Sequence, residues 1–168
     1  AFYRGLVIEL AERGHQVRLL CNGAAEDRAA VEAIASHQGV AELTASGRVE
    51  VAPTPQTGAE LAGLVAPCAA VIAHRLHACI LAYSYRVPVV GLSWDSKLDA
   101  FFESVDLENL LISDPLVRSA AAADLVEAAM ARGIDPEAHA AVVKECRHGL
   151  QRVWRASGLL PQEAKASS

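Results

Sequence analysis

Residues 69–97, AAVIAHRLHACILAYSYRVPVVGLSWDSK, constrain the fold more than any other stretch. Ala69 to Ala73 is an apolar run of the length of one buried strand, and His74-Arg75-Leu76-His77 follows at once. Leu76, Cys79, Ile80 and Tyr83 then recur at helical spacing. Pro88 opens a second apolar run, Val89-Val90-Gly91-Leu92, which stops at Trp94-Asp95-Ser96-Lys97. The reading is strand, helix, strand, with polar residues where each strand ends. In a parallel α/β sheet those ends form the ligand crevice. A cation and an imidazole at the first end then face the same crevice as an acid and a lysine at the second.

The flanking sequence extends this alternation. Residues 1–13 read as a helix with Phe2, Leu6, Val7 and Leu10 in one stripe and Gly14 as its stop. Residues 16–21 read as a strand, Asn22-Gly23 as a turn, and 24–36 as a helix with Val31 and Ile34 inward. Residues 48–52 alternate as a strand. Thr57 and Glu60 fit a capping box for a helix that must end near Pro67. Beyond the central unit, Asp95 or Ser96 caps a short helix through Phe101 and Phe102, and residues 109–113 suit a short strand. Asp114-Pro115 and Asp135-Pro136 each read as a cap followed by proline at the first helical position. Those helices run to about Ala131 and about Ser157, and the tail 161–168 reads as frayed.

Alternating strands and helices predict an α/β fold, a Rossmann-like parallel sheet with helices on both faces. The chain opens in a helix, so the first strand is expected to be missing. The sheet is then expected to look incomplete at one edge or in its middle. A strand borrowed from a neighbouring chain, in a homo-oligomer, is one repair.

At 168 residues the chain is long enough for one domain with a real core. Twenty acidic against fifteen basic residues, a net charge of −5, speak against a nucleic-acid binder. No apolar run approaches a membrane span, and the opening Ala1-Phe2-Tyr3-Arg4 lacks the layout of a signal peptide. Cys21, Cys68, Cys79 and Cys146 show neither a CxxC pair nor metal spacing, and Cys21, Cys68 and Cys79, in or beside apolar stretches, read as reduced core residues of a cytoplasmic protein.

Arg75 sits where a strand gives way to a helix. Free N–H groups in a first helical turn attract anions, and a guanidinium there adds a two-point grip on carboxylate or phosphate. The plainer reading is a structural salt bridge. His77, in the same turn, is either a proton donor held beside a bound anion or a neutral ring bonded within the fold. His74 is a weaker candidate, read as lining the sheet edge. Asp95 is either a site acid or a helix cap, Lys97 a site cation or a solvated charge, and Trp94 a crevice wall or a packing residue. The stripe Leu76, Cys79, Ile80, Tyr83 reads as core.

Together, RLH at a strand-to-helix turn, an alanine-rich helix and VPVVGLSWDSK resemble the C-terminal domain of polysaccharide pyruvyl transferases, over about residues 66–104. The resemblance implies an architecture like two-domain GT-B glycosyltransferases, with residues 1–168 as a single Rossmann-like domain, the C-terminal half. It implies transfer of a pyruvyl group from phosphoenolpyruvate onto two sugar hydroxyls as a ketal, with no cofactor or metal. It places Arg75, Leu76 and His77 at phosphoenolpyruvate, with Arg75 and His77 catalytic and Asp95 and Lys97 in supporting binding roles. It also implies a saccharide acceptor held against a missing N-terminal domain, so this chain alone is expected to be insufficient for activity. Two other readings stay open. One is the nucleotide-sugar half of a glycosyltransferase or epimerase, although neither GxGxxG nor P-loop spacing is present. The other is a non-catalytic assembly module.

Overall fold

The computed structural model describes residues 2–114 and 116–159. Two compact units divide the chain, Ala1–Ile134 and Asp135–Ser168. In the first unit, helices α1 (Phe2–Glu12), α2 (Ala25–Ala35), α3 (Gln38–Ala45), α4 (Gly58–Val65), α5 (Leu76–Ser84), α6 (Ser96–Ser104) and α7 (Ser119–Arg132) flank five strands. The strands are β1 (Val17–Leu19), β2 (Val49–Val51), β3 (Val71–Ala73), β4 (Val89–Leu92) and β5 (Leu111–Ile112). All pairings are parallel, as expected for a Rossmann-like α/β domain, and they form two sheets, β1-β2 and β3-β4-β5.

Burial follows the apolar periodicity. α1 buries Leu6, Val7, Leu10 and Ala11 and ends where Gly14 takes a φ of +99°. Val7 and Ala11 pack with Val40 of α3 and Val49 of β2. Arg13 fastens α1 to α7 through Asp124 and Glu127, at 2.7 and 2.8 Å, and His15 also meets Glu127 at 2.8 Å. In the other sheet, Val89 and Val90 are fully buried. The next residue, Gly91, lies so close to the Phe102 ring that a Cβ there would meet its Cε2 at 2.6 Å.

Several expectations need correction. Residues 38–45 form α3, which the sequence reading passed over. Thr57 does accept from Glu60 N–H at 3.2 Å, but the Glu60 carboxylate accepts from Gln56 N–H at 2.7 Å, so the capping box is not reciprocal. The Asp114 carboxylate accepts from Leu116 N–H at 2.8 Å and closes a local turn, so the helix begins only at Ser119. Pro115 and the tail 161–168 lie outside the described residues. In α5 the buried face is Ala78, Cys79, Ala82 and Tyr83, while Ile80 is exposed, because the sheet covers the small alanines. Cys21 and Cys79 are buried as expected, but Cys68 is only half-buried.

The second unit holds α8 (Pro136–Ala156), capped by Asp135, whose Oδ1 accepts from Glu137 and Ala138 N–H at 2.8 and 3.2 Å. Leu150, Val153 and Trp154 on it are exposed. No helix among the described residues is long and apolar enough to cross a membrane.

Candidate functional site at the C-terminal end of β3

The parallel register aligns Val71 with Val89 and Ala73 with Gly91, so β3 and β4 finish side by side. β3 hands over to α5 through His74 and Arg75, with Arg75 as the N-cap residue. Its backbone is extended and no side chain caps the helix. The Arg75 carbonyl accepts from Ala78 and Cys79 N–H at 3.0 and 3.2 Å. The N–H groups of Leu76 and His77 therefore stay available to a ligand, as first-turn donors do in an uncapped helix.

Arg75 is held by Asp27 of α2. Its Nη2 lies 2.7 Å from Asp27 Oδ1, and its Nε lies 3.1 Å from Oδ2. Asp27 is nearly enclosed, whereas more than a third of the Arg75 side chain is exposed. This pair is the structural salt bridge that the plainer reading anticipated. It uses the Nε–Nη2 edge of the guanidinium, and Nη1 makes no hydrogen bond among the described residues. Hydrogen bonding to Asp27 raises the Arg75 pKa further, so the cation is fixed in charge and direction. A planar fork held along one edge still presents its other edge.

His77 is exposed and makes no hydrogen bond or ion pair among the described residues, so it is not a ring bonded within the fold. His74 is more integrated than its sequence suggested. Its Nδ1 shares a 2.8 Å hydrogen bond with the Tyr3 hydroxyl of α1, and its carbonyl accepts from the Trp94 indole N–H at 2.7 Å. Burial lowers the His74 pKa and the Arg75 charge lowers it further, so the ring is neutral at neutral pH. Burial likewise pushes the Tyr3 hydroxyl up to about 12, which keeps it a donor. His74 thus ties α1 and the segment after β4 to the start of α5. Trp94 stays exposed and walls this edge.

Asp95 resolves as a cap. Its Oδ1 accepts from Lys97 and Leu98 N–H, both at 3.0 Å, at the start of α6. Asp95→Ala is expected to destabilise the fold by about 1 kcal/mol, whereas Asp95→Asn, which keeps the capping oxygen, should unfold near the wild-type temperature. Thermal melts of both variants check this. Lys97 is exposed in the same turn, and its ammonium has no partner among the described residues.

A cavity of about 600 Å³ opens beside this edge, lined among others by Tyr3, Asp27, His74 and Arg75. His77, Trp94 and Lys97 do not line it. The structure therefore brings Arg75, Leu76 and His77 together at one helix start and joins Trp94 to it through His74, while Arg75 and the weaker candidate His74 reach the cavity and Leu76, His77, Asp95 and Lys97 do not. Tyr3 and Asp27 had no signal in the sequence. Each meets its partner across a separation of 71 or 48 residues, which only the folded sheet edge creates.

The arrangement is an edge with cations, free helical donors and a neutral histidine hub, suited to a small anionic substrate. No curated protein and no solved structure matches the chain significantly. The family model described as polysaccharide pyruvyl transferase matches residues 5–96. The match runs from α1 through the RLH turn to the first residue of α6, reaching much further toward the N-terminus than residues 66–104. It takes in both sheets up to the end of β4 and more than half of the chain, and on that extent the protein belongs to the polysaccharide pyruvyl transferase family.

Proposed function

We propose that this domain binds phosphoenolpyruvate at the start of α5 and supports transfer of its pyruvyl group to two hydroxyls of a saccharide as a ketal. The observation that carries this reading is the convergence of the unpaired Arg75 Nη1 edge with the uncapped N–H groups of Leu76 and His77. Together they offer a fork and two fixed donors to a trianionic donor. Asp27 is a positioning residue that aims the fork.

In the proposed reaction the methylene carbon of phosphoenolpyruvate takes a proton, and positive charge develops at the central carbon. The first sugar hydroxyl attacks that carbon and releases its proton. The second hydroxyl then displaces phosphate, releases its own proton and closes the ketal. Arg75 holds the donor in line. His77 either delivers the first proton or holds phosphate. Lys97 adds charge at the same edge, and Asp95 acts through the α6 cap that carries Lys97. These steps call for no metal and no further cofactor. A second Rossmann-like domain, in a GT-B-like pair, supplies the acceptor side of the cleft in this reading, and the work is placed in the cytoplasm.

Calorimetric titration of the full protein carrying this domain tests the donor assignment. Saturable binding of phosphoenolpyruvate, with no heat from UDP- or GDP-sugars, is expected. Binding of a nucleotide sugar without phosphoenolpyruvate would overturn the reading in favour of a glycosyltransferase half.

A further inference from the structure

Trp94 is 63% exposed and stands at the edge where β3 and β4 end. Its indole N–H donates to the His74 C=O at 2.7 Å. The one polar group of the ring is thus satisfied by the protein, and what the ring leaves to solvent is hydrocarbon surface. A tryptophan that served only to pack would bury that surface, since burial is where its stabilisation comes from. The ring is also fixed in place. His74 is itself held by the Tyr3 hydroxyl at 2.8 Å. On one side of Trp94, Ser93 N–H donates to Ile112 C=O of β5 at 2.9 Å, and on the other, Asp95 caps α6. The His74 carbonyl shares a peptide unit with the Arg75 N–H, and the N–H groups of Leu76 and His77 follow within two residues. With the spacing of a trans chain, the indole nitrogen lies within about 12 Å of both donors.

We propose that Trp94 is the platform on which one pyranose ring of the saccharide acceptor stacks, with its hydroxyl rim turned toward the start of α5. The inference rests on the proposed saccharide transfer for the identity of this ligand. A pyranose is two-sided in the way the site is: a broad face carries C–H bonds, and the rim carries hydroxyls. The electron-rich face of an indole attracts such C–H hydrogens. Phosphoenolpyruvate is too small and too highly charged to cover an indole face, so the exposed ring of Trp94 is left for the second substrate. The proposed transfer brings two hydroxyls of one acceptor in turn to the same carbon. Stacking confines the sugar ring to one plane, which holds both hydroxyls in range of that carbon. Because the indole is already held through His74, binding orders no further side chain there, and little affinity is lost to ordering. Trp94 is a binding residue in this account, and no proton or bond passes through it.

Titration of the isotopically labelled full protein carrying this domain tests it, with the Trp94 indole N–H signal assigned by its loss in Trp94→Phe. The probes are methyl β-galactoside, methyl β-glucoside and methyl β-mannoside, each added without phosphoenolpyruvate. At least one should shift the Trp94 signal and saturate. Trp94→Ala should weaken that saccharide roughly tenfold. Trp94→Phe, which keeps an aromatic face and loses the bond to His74, should weaken it only about threefold. Phosphoenolpyruvate, titrated separately, should bind both variants as it binds the wild type. A Trp94 signal that none of the three pyranosides moves, or equal saccharide affinity in Trp94→Ala and the wild type, would overturn the platform. Equal losses in the two variants, together with equal drops in melting temperature, would overturn it in favour of a strut acting through His74. A matching loss of phosphoenolpyruvate affinity in Trp94→Ala would overturn it by moving Trp94 into the donor site. If phosphoenolpyruvate fails to bind the wild type while a pyranoside still saturates the Trp94 signal, the donor reading falls and the platform stands.

Discussion

Arg75→Lys is expected to weaken phosphoenolpyruvate binding by roughly ten- to a hundredfold while the domain still folds. Lysine keeps the charge and replaces a planar fork with a point charge. In the wild type, Asp27 takes the Nε and Nη2 positions, which leaves Nη1 for the donor. A lysine ammonium cannot hold Asp27 along one edge and present a second edge to a ligand. If Arg75 is only the structural partner of Asp27, Arg75→Lys should shift the melting temperature and leave donor affinity unchanged. Affinity and melting temperature measured on the same variant separate the two. Asp27→Asn adds a control, because it keeps the side-chain shape, releases the grip on Arg75 and should raise KM more than it lowers kcat.

Phe102→Ala is expected to destabilise the domain by about 3–5 kcal/mol, the largest stability effect of any substitution considered. Phe102 is fully buried, and its ring fills the space left by Gly91 on β4. Phe101 lies edge-on to it at 5.5 Å between centroids. Truncation would leave a hole beside Gly91, which has no side chain of its own to fill it. Denaturant unfolding should show a lower midpoint with an unchanged slope. A change below about 1 kcal/mol would mean that α6 does not anchor the β3-β4-β5 sheet. The partner substitution, Gly91→Ala, should also destabilise, because its Cβ would collide with the same ring.

The elements whose signals are local were legible. Period-3.6 burial placed α1 and α5, apolar runs ending in polar clusters placed β3 and β4, and the Asp95 and Asp135 caps sit where the sequence put them. α3 was not legible, because it buries only Val40 and its N-cap residue, His37, makes no capping bond. The start of α7 was misread because Asp114 has two uses for its carboxylate, and it closes a turn with Leu116 instead of capping a helix. Ile80 was misplaced because helical spacing does not say which of two adjacent stripes meets the sheet, and the alanines won.

The site was legible in the same partial way. Arg75, Leu76 and His77 stand at a strand end because a strand-to-helix turn can be read along the chain. What surrounds them could not be read so. The Arg75–Asp27 pair, the Tyr3–His74 bond and the Trp94–His74 bond all join residues brought together by the fold. His74, set aside as a sheet-edge residue, becomes the junction of three elements because its ring and its carbonyl each find a distant partner. Asp95, weighed as a site acid, is committed to α6 by two backbone donors.

The central claim is that phosphoenolpyruvate binds at the first turn of α5. A titration of phosphoenolpyruvate into the isotopically labelled full protein, followed by the backbone amide signals, tests it residue by residue. The Leu76 and His77 amide signals should shift and saturate together, with the Arg75 guanidinium signal moving alongside them. Saturable binding that leaves Leu76, His77 and Arg75 unmoved would contradict it.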